Sequence, residues 1–430
     1  MVTVASDPHA CSTDGPALAT PGGIRGGRGG STIAIVNEGH GDGFDQERAA
    51  VGALFSDAGR RDPHGVLAEL DLPTARYAVV ESVLRDPAFV RGAPQGEASL
   101  WRMLARWLIS LDGDRHRGLR QRFVGLFGPR TVERFRGEIT QRARALLDAV
   151  AGVGQMDVVT DFARPLPFAV ITGVMGVPEE DRPVIGAQLV TVNRAFAHQN
   201  DPDAMARGNE VAEELQRRFG DLLDARAREP EDDLLSALAA DAPADGDERA
   251  DLVANCIFFV EAGHATTTAL IAAGTDFLLA HPTECDRLRA EPGRINRVVE
   301  EVLRLTSPVS TVVSAPSEDV IVQGCRFAAR EPRHAFLTVA NRDPAVFDDP
   351  HRFDPDRHPN SHLAFAAGRH FCLGAPLARL HGEIALTTLL ERFPDLHRNG
   401  EAVCGTDAWS SSVASARQTA GESVASRQSR

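Results

Sequence analysis

Between residues 46 and 400 apolar side chains recur at intervals of three and four, and the runs close near Gly or Pro. GEITQRARALLDAVAGV, EVAEELQRRFGDLLDARARE and GRINRVVEEVLRLTSPV all carry this helical period. The longest such run, from Glu248 to Pro282, is apolar on nearly every side through IFFV and ALIAAG. That pattern predicts a helix buried through the centre of a large domain. Period-two signals are short and few: DVIVQG, and HAFLTVA ahead of the turn in NRDP. No internal repeat or linker interrupts the stretch. The pattern predicts one large, mainly α domain with small β-sheets over residues 46–405. Residues 1–45, with GGIRGGRGGS, predict a flexible N-terminal extension, and 406–430, small and polar after Trp409, a flexible C-terminal tail.

Composition narrows the function classes. The 430 residues are 43% apolar and 25% charged, and all 46 basic residues are arginine. A net charge of −14 argues against nucleic acid or an anionic membrane as a partner, because both attract cationic faces. No uninterrupted run of 18 apolar residues occurs and the N-terminus lacks the pattern of a signal peptide, so a cytoplasmic protein is expected. The six cysteines, Cys11, Cys256, Cys285, Cys325, Cys372 and Cys404, are widely spaced with no C-x-x-C pair. Free thiols are expected rather than a disulfide framework or structural zinc.

One cysteine stands apart. In FAAGRHFCLG, Cys372 lies between Gly368 and Gly374, and LGAPLARLHGEIALTTLLERFPDL then reads as a helix burying Leu377, Leu380, Ile384, Leu389 and Phe393. Pro376 is compatible with an early helical position. Cys372 is thus placed at a helix N-terminus, where unpaired N–H groups favour thiolate, and the glycines let a flat group approach the sulfur. A lone cysteine is ordinarily a packing residue. A single thiolate under a planar macrocycle, however, is what haem iron can use.

The segment F365-x-x-G368-x-H370-x-C372-x-G374 resembles the haem-ligand signature of the cytochrome P-450 family. In the family's order the chain also carries E301-V-L-R304, ANRDP (340–344) and HRFDPDR (351–357), with His116 and Arg120 upstream in DGDRHRGLRQRFVGLF. The resemblance extends over roughly residues 60–396 and implies a single large P-450-type helical domain. It implies that Cys372 ligates the iron of haem b, with Phe365, Gly368 and Gly374 shaping the loop. It further implies that His370, His116 and Arg120 bond the haem propionates, and that Glu301 and Arg304 form a structural ion pair with an arginine of NRDP or FDPDR.

The long helix contains A262-G263-H264-A265-T266-T267-T268. A mid-helix glycine followed by threonines that bond back to carbonyls can open a local groove. In the family that groove lies over the haem, with Ala262 and Gly263 against it, and Thr266 helps hold dioxygen and its protonating water. Family members commonly carry Asp or Glu where this chain has Ala265. Three replacements are open: a polar group of the substrate, His264 or Glu261 acting through water, or a reaction without dioxygen cleavage. Glu261, one turn earlier, shares the face of Ala265; alternatively it pairs with a nearby arginine. A family arginine that binds propionate is replaced by Ser314, which leaves the haem held by fewer cations, or by Arg326 or Arg330 through a shifted loop. The family's closing strand is not evident after Trp409.

The resemblance implies a soluble haem-thiolate monooxygenase acting on a small organic substrate in bacterial secondary metabolism. Ferredoxin and ferredoxin reductase would supply electrons. The alternative is a haem-thiolate enzyme that uses peroxide, transfers nitrogen from an N–O substrate, or rearranges its substrate. A third reading is a non-catalytic binding protein on the same fold. The expected pocket segments are Gly92–Leu104, Leu189–Asn200 and Ser307–Val313.

Overall fold

The runs of period three and four become helices: two bury one stripe each, Ile139, Ala143 and Leu147 in the first and Ala212, Leu215, Phe219 and Leu223 in the second. The computed structural model describes residues 72–398 together with Glu47, Ala50, Val51, Ala53 and Leu54. The expected extension at 1–45, the tail at 406–430, Cys11, Cys404 and Trp409 lie outside the described residues. The helices that build the site are α1 (Tyr77–Arg85), α2 (Gly113–Val124), α3 (Arg136–Ala151), α4 (Pro165–Met175), α5 (Arg182–Ala197), α6 (Pro202–Arg228), α7 (Gly246–Ala280), α8 (Ile295–Thr306) and α9 (Ala375–Arg392).

The central helix is α7, and α4, α6, α8 and α9 all pack on it. Its buried side chains include Leu252, Ile257, Ala269, Ala272 and Ala273, which point in all directions around the axis. α8 carries its apolar stripe on Val298, Val299, Val302 and Leu305, and its second half buries Glu301, Leu303 and Arg304 on the other faces as well. α9 buries Leu377, Leu380, Ile384 and Leu389 as its spacing predicts, and His381, Ala385 and Leu386 as well. By length and composition alone Val158–Met175 and Gly246–Ala280 could cross a membrane, but 61% and 67% of their apolar windows are buried inside the domain. They are core helices.

The strands are short. β1 (Phe89–Val90), β2 (Thr311–Pro316) and β5 (Arg333–Phe336) form an antiparallel sheet in the order β1-β2-β5, with Phe89 opposite Pro316 and Thr311 opposite Phe336. β3 (Val320–Val322) and β4 (Cys325–Phe327) form a hairpin around Gln323 and Gly324, both at positive φ, as a two-residue turn of the favoured twist requires. The extended run expected through HAFLTVA is shorter in the structure. It stops at Phe336 and Leu337–Ala340 turns into one helical turn, which delivers the Asn341 carbonyl to Arg304 at 2.8 Å.

Candidate functional site

The loop between Leu363 and Gly374 is folded by its own backbone. Cys372 N–H donates to the Phe365 carbonyl at 3.0 Å and Ala366 N–H to Leu363 at 2.8 Å. Gly368 has φ +67°, and a Cβ there would lie 2.5 Å from the Leu84 carbonyl of α1, so only glycine fits this close turn. Gly374 has ordinary dihedrals and caps α9, whose second residue is Pro376. Cys372 therefore precedes the helix start as its sequence context predicts. Its sulfur lies deep in the molecule yet is open to a cavity of about 900 Å³. Burial pushes the thiol upward, and the Gly374 and Ala375 N–H groups, Arg120 and Arg379 act against that push. In the protein alone desolvation wins over the helix terminus.

Across the cavity lies the groove of α7. Ala262, Gly263, His264, Ala265 and Thr266 all line it, as do Phe365, Ala366 and Gly374 from the cysteine loop. Gly263 is needed because Ile171 of α4 presses on the helix: a Cβ would be 2.8 Å from Ile171 Cγ1. Thr266 Oγ1 donates to the Ala262 carbonyl at 3.0 Å and Thr268 Oγ1 to His264 at 2.9 Å, the expected back-bonding. Glu261 lines the same cavity. Its partner is not an arginine: Oε1 accepts from Asn193 Nδ2 of α5 at 2.7 Å, and burial raises the carboxyl to about 7. His264 is held neutral, at about 4, by burial and the neighbouring Arg164, with its ring edge toward Phe168 at 5.5 Å. All three expected pocket segments reach the cavity, through Pro94 and Leu104, Val192 and Phe196, and Pro308 and Val309.

At the cavity edge the donors gather. Arg120 Nη2 donates to the Phe371 carbonyl at 2.6 Å, and the His116 and His370 rings lie 4.4 Å apart. His370 Nε2 is taken by Asp112 Oδ1 at 3.1 Å, and the same carboxylate accepts from Arg369 Nε at 2.8 Å and from the Arg91 backbone N–H. Although burial opposes its ionisation, those bonds hold Asp112 down at about 2.

Beneath the loop, Glu301 and Arg304 are fully buried rather than an exposed pair. Arg304 donates Nε and Nη2 to the two Glu301 oxygens at 2.8 and 2.7 Å, and its remaining N–H groups go to the carbonyls of Asn341, Pro350 and Arg352. Of the two expected arginine partners the FDPDR arginine, Arg357, reaches Glu301 at 3.3 Å. Arg342 of NRDP instead donates to the Leu305 carbonyl at 2.8 Å. Glu300 next door clamps α9 and the loop together through Arg379 at 2.7 Å and His362 at 3.2 Å, and Arg379 lies 4.6 Å over the Phe365 ring.

The family model described as Cytochrome P450 matches residues 198–418. The biotin biosynthesis cytochrome P450 of Bacillus subtilis is 35% identical over 326 residues, 75% of this chain and 82% of that relative. The chain belongs to the cytochrome P450 family. The 6-deoxyerythronolide B hydroxylase of Saccharopolyspora erythraea is 37% identical over 75% of this chain and 78% of that enzyme. Among solved structures, P450BioI in complex with an acyl carrier protein ligated to hexadec-9Z-enoic acid superposes with a TM-score of 0.76 at 31% identity, over 84% of this chain and 99% of that one.

This P450 is an oxidoreductase of the monooxygenase class, and its cofactor is haem b. The residues fit the group. Among the described residues neither Arg91 nor Arg120 has a carboxylate within salt-bridge distance, and His116 Nε2 is buried without a partner. Arg91 and Arg120 line the cavity and His116 stands behind His370, which lines it too; guanidinium donors left without anions there suit a buried dianion such as the haem propionates. The expected substitutes for the cation missing at Ser314 do not serve. Arg326 pairs with Asp319 at 2.9 Å on the outer hairpin, and Arg330 is exposed at positive φ; neither lines the cavity. Arg91, just after β1, does line it, and donates Nη1 to the Val313 carbonyl at 3.0 Å. Sequence reasoning missed Arg91 and Asp112, and it held Asn193 only as one position of the pocket segment 189–200, without its bond to Glu261. Asp112, four residues before His116, was within reach of a reading of that helix. Arg91 is brought in only by the β1–β2 pairing, and Asn193 meets Glu261 of α7 only because α5 packs on α6, which itself packs on α7.

Proposed function

We propose that this P450 inserts an oxygen atom into a mostly apolar small molecule of bacterial secondary metabolism, with Cys372 as the iron ligand. The observation that carries this reading is Cys372, held by its glycine-bounded loop and open to the cavity opposite the Ala262–Thr266 groove. Haem bound there supplies the reductive activation of dioxygen. Gly374 and Ala375 N–H groups moderate the charge on the sulfur, and Phe365 and Gly368 fix the loop. Arg120, His116, Arg91 and His370 hold the propionate edge.

Thr266, with its hydroxyl proton given to Ala262, keeps its lone pairs for a water in the groove. Because Ala265 holds no proton, the acid moves back one turn to Glu261, whose raised carboxyl gives and takes a proton near neutrality. His264, neutral and packed against Phe168, orients this wall. Electrons arrive from a separate ferredoxin and its reductase in the cytoplasm. The names of relatives support the metabolic setting: polyketide biosynthesis in Bacillus subtilis for one, 6-deoxyerythronolide B hydroxylation for another.

The test is the carbon monoxide difference spectrum of the reduced protein. A Soret band shifted far to the red, lost in Cys372→Ser, is expected; an unshifted band in intact protein overturns the assignment. A second reading rests on Ala265. A structural neighbour at 29% identity and TM-score 0.72, covering 82% of this chain, is described as CxnD, for C–S bond formation in chuangxinmycin biosynthesis. Product formed without a reductase would favour peroxide use, N–O activation or rearrangement over monooxygenation.

A further inference from the structure

Glu261 is only 7% exposed, lines the cavity, and is bonded through one oxygen alone. Oε1 accepts from Asn193, whereas Oε2 is buried with no hydrogen-bond partner among the described residues. A buried acceptor without a protein partner is costly, and this one belongs to a side chain that lines a cavity. The neighbouring wall is apolar: Phe258, Phe259, Val192 and Phe196 line the same space. A ligand chamber is commonly built this way, with apolar walls to supply contact and a few fixed polar atoms to set orientation.

We propose that Glu261 Oε2 is a substrate anchor that selects for a hydroxyl group on an otherwise apolar molecule. Asn193 makes the anchor directional. By occupying Oε1 from α5, it leaves Oε2 as the acceptor without a protein partner and ties the wall at α5 to α7. A hydroxyl suits the site better than an ammonium, because the acids lining this part of the chamber, Glu261 and Asp201, are matched by Arg164 and Arg194. The role is compatible with proton exchange at Glu261. A hydroxyl donates with its hydrogen and accepts with its lone pairs, so it lengthens a chain toward Thr266 rather than ending it. The proposal rests on the functional reading above only in taking this cavity as the substrate chamber.

Isothermal calorimetry of the full-length holoprotein with a matched pair of probes, cyclododecanol and its methyl ether, tests the anchor. The wild type is expected to bind the alcohol about tenfold more tightly, the equivalent of about 1.4 kcal/mol. Glu261→Leu is expected to erase the difference. Glu261→Gln, nearly isosteric and still able to accept from Asn193, turns an amide N–H toward the cavity and is expected to favour cyclododecanone over the alcohol. An alcohol bound no better than the ether by the wild type, or a preference that survives Glu261→Leu, overturns the proposal. Loss of the red-shifted carbon monoxide band would instead overturn the haem-thiolate reading, and the calorimetric comparison would still decide the anchor.

Discussion

Arg91 Nη1 meets the carbonyl of Val313 at 3.0 Å, so a guanidinium from the end of β1 stands next to Ser314 on β2. Burial lowers this arginine to about 10 against the pull of nearby Asp112, and no carboxylate among the described residues reaches the guanidinium within salt-bridge distance. A haem propionate would provide one. Hydrogen bonds to charged groups contribute about 1.5–3 kcal/mol, so Arg91→Leu is expected to speed haem transfer to apomyoglobin by about tenfold or more. Adding Ser314→Arg to that variant is expected to recover much of the loss, because β1 and β2 are paired neighbours. Unchanged transfer in Arg91→Leu would remove Arg91 from the cradle.

What the sequence reveals here is set by distance along the chain. The thiolate loop, α7 and the Glu301–Arg304 pair are written in local spacing: two glycines around Cys372, threonines after Gly263, carboxylate and guanidinium three apart. Burial of the Glu301–Arg304 pair is not written there, because both stand off the apolar stripe of Val298, Val299, Val302 and Leu305 and are covered only by the 341–357 segment that folds over them. Arg91 and the bond from Asn193 to Glu261 are illegible by contrast. Arg91 follows a two-residue strand with no period of its own, and its neighbour Val313 is 222 positions away. β2 is itself almost uniformly buried, so TVVSAP shows no alternation and reads as pocket wall rather than as the centre of a sheet.

The buried pair predicts its own asymmetry. Glu301 receives Arg304 twice, Arg357, the Asp354 N–H and the Asn360 amide. Glu301→Gln strands the Arg304 charge in the core, a change that costs about 3–5 kcal/mol. Urea unfolding is expected to show a loss of that order together with a poor yield of holoprotein. Arg289→Ala, which breaks an exposed pair with Asp286, is expected to cost less than about 1 kcal/mol. Similar losses in the two variants would contradict the burial argument.

Gly368 predicts a spectral outcome. A methyl group there meets both an unfavourable φ and the Leu84 carbonyl, so Gly368→Ala must move the loop that ends in Cys372. The reduced carbon monoxide complex of the variant is expected to lose most of its red-shifted band while the far-ultraviolet helical signal stays. Gly118→Ala is the control. It lies in α2 with open space around the added carbon, and it is expected to leave the band intact and to raise stability by up to about 1 kcal/mol.

Glu261 predicts how stability varies with pH. Its carboxyl is raised by burial from 4.5 to about 7, so the folded state binds this proton more tightly than the unfolded chain does. The stabilising contribution is complete below about pH 4.5 and is lost as the pH rises through 7. Glu261→Gln cannot lose it, so the variant is expected to gain on the wild type between those limits and to stay ahead above them, by at most roughly 3 kcal/mol. Glu47, also raised to about 7, follows the same curve in both proteins and cancels in the difference. The measurement is therefore the difference in melting temperature between variant and wild type across that range. A flat difference would mean that the carboxylate is well solvated in the empty chamber, and the cost assigned to the unpaired Oε2 would then have to be withdrawn.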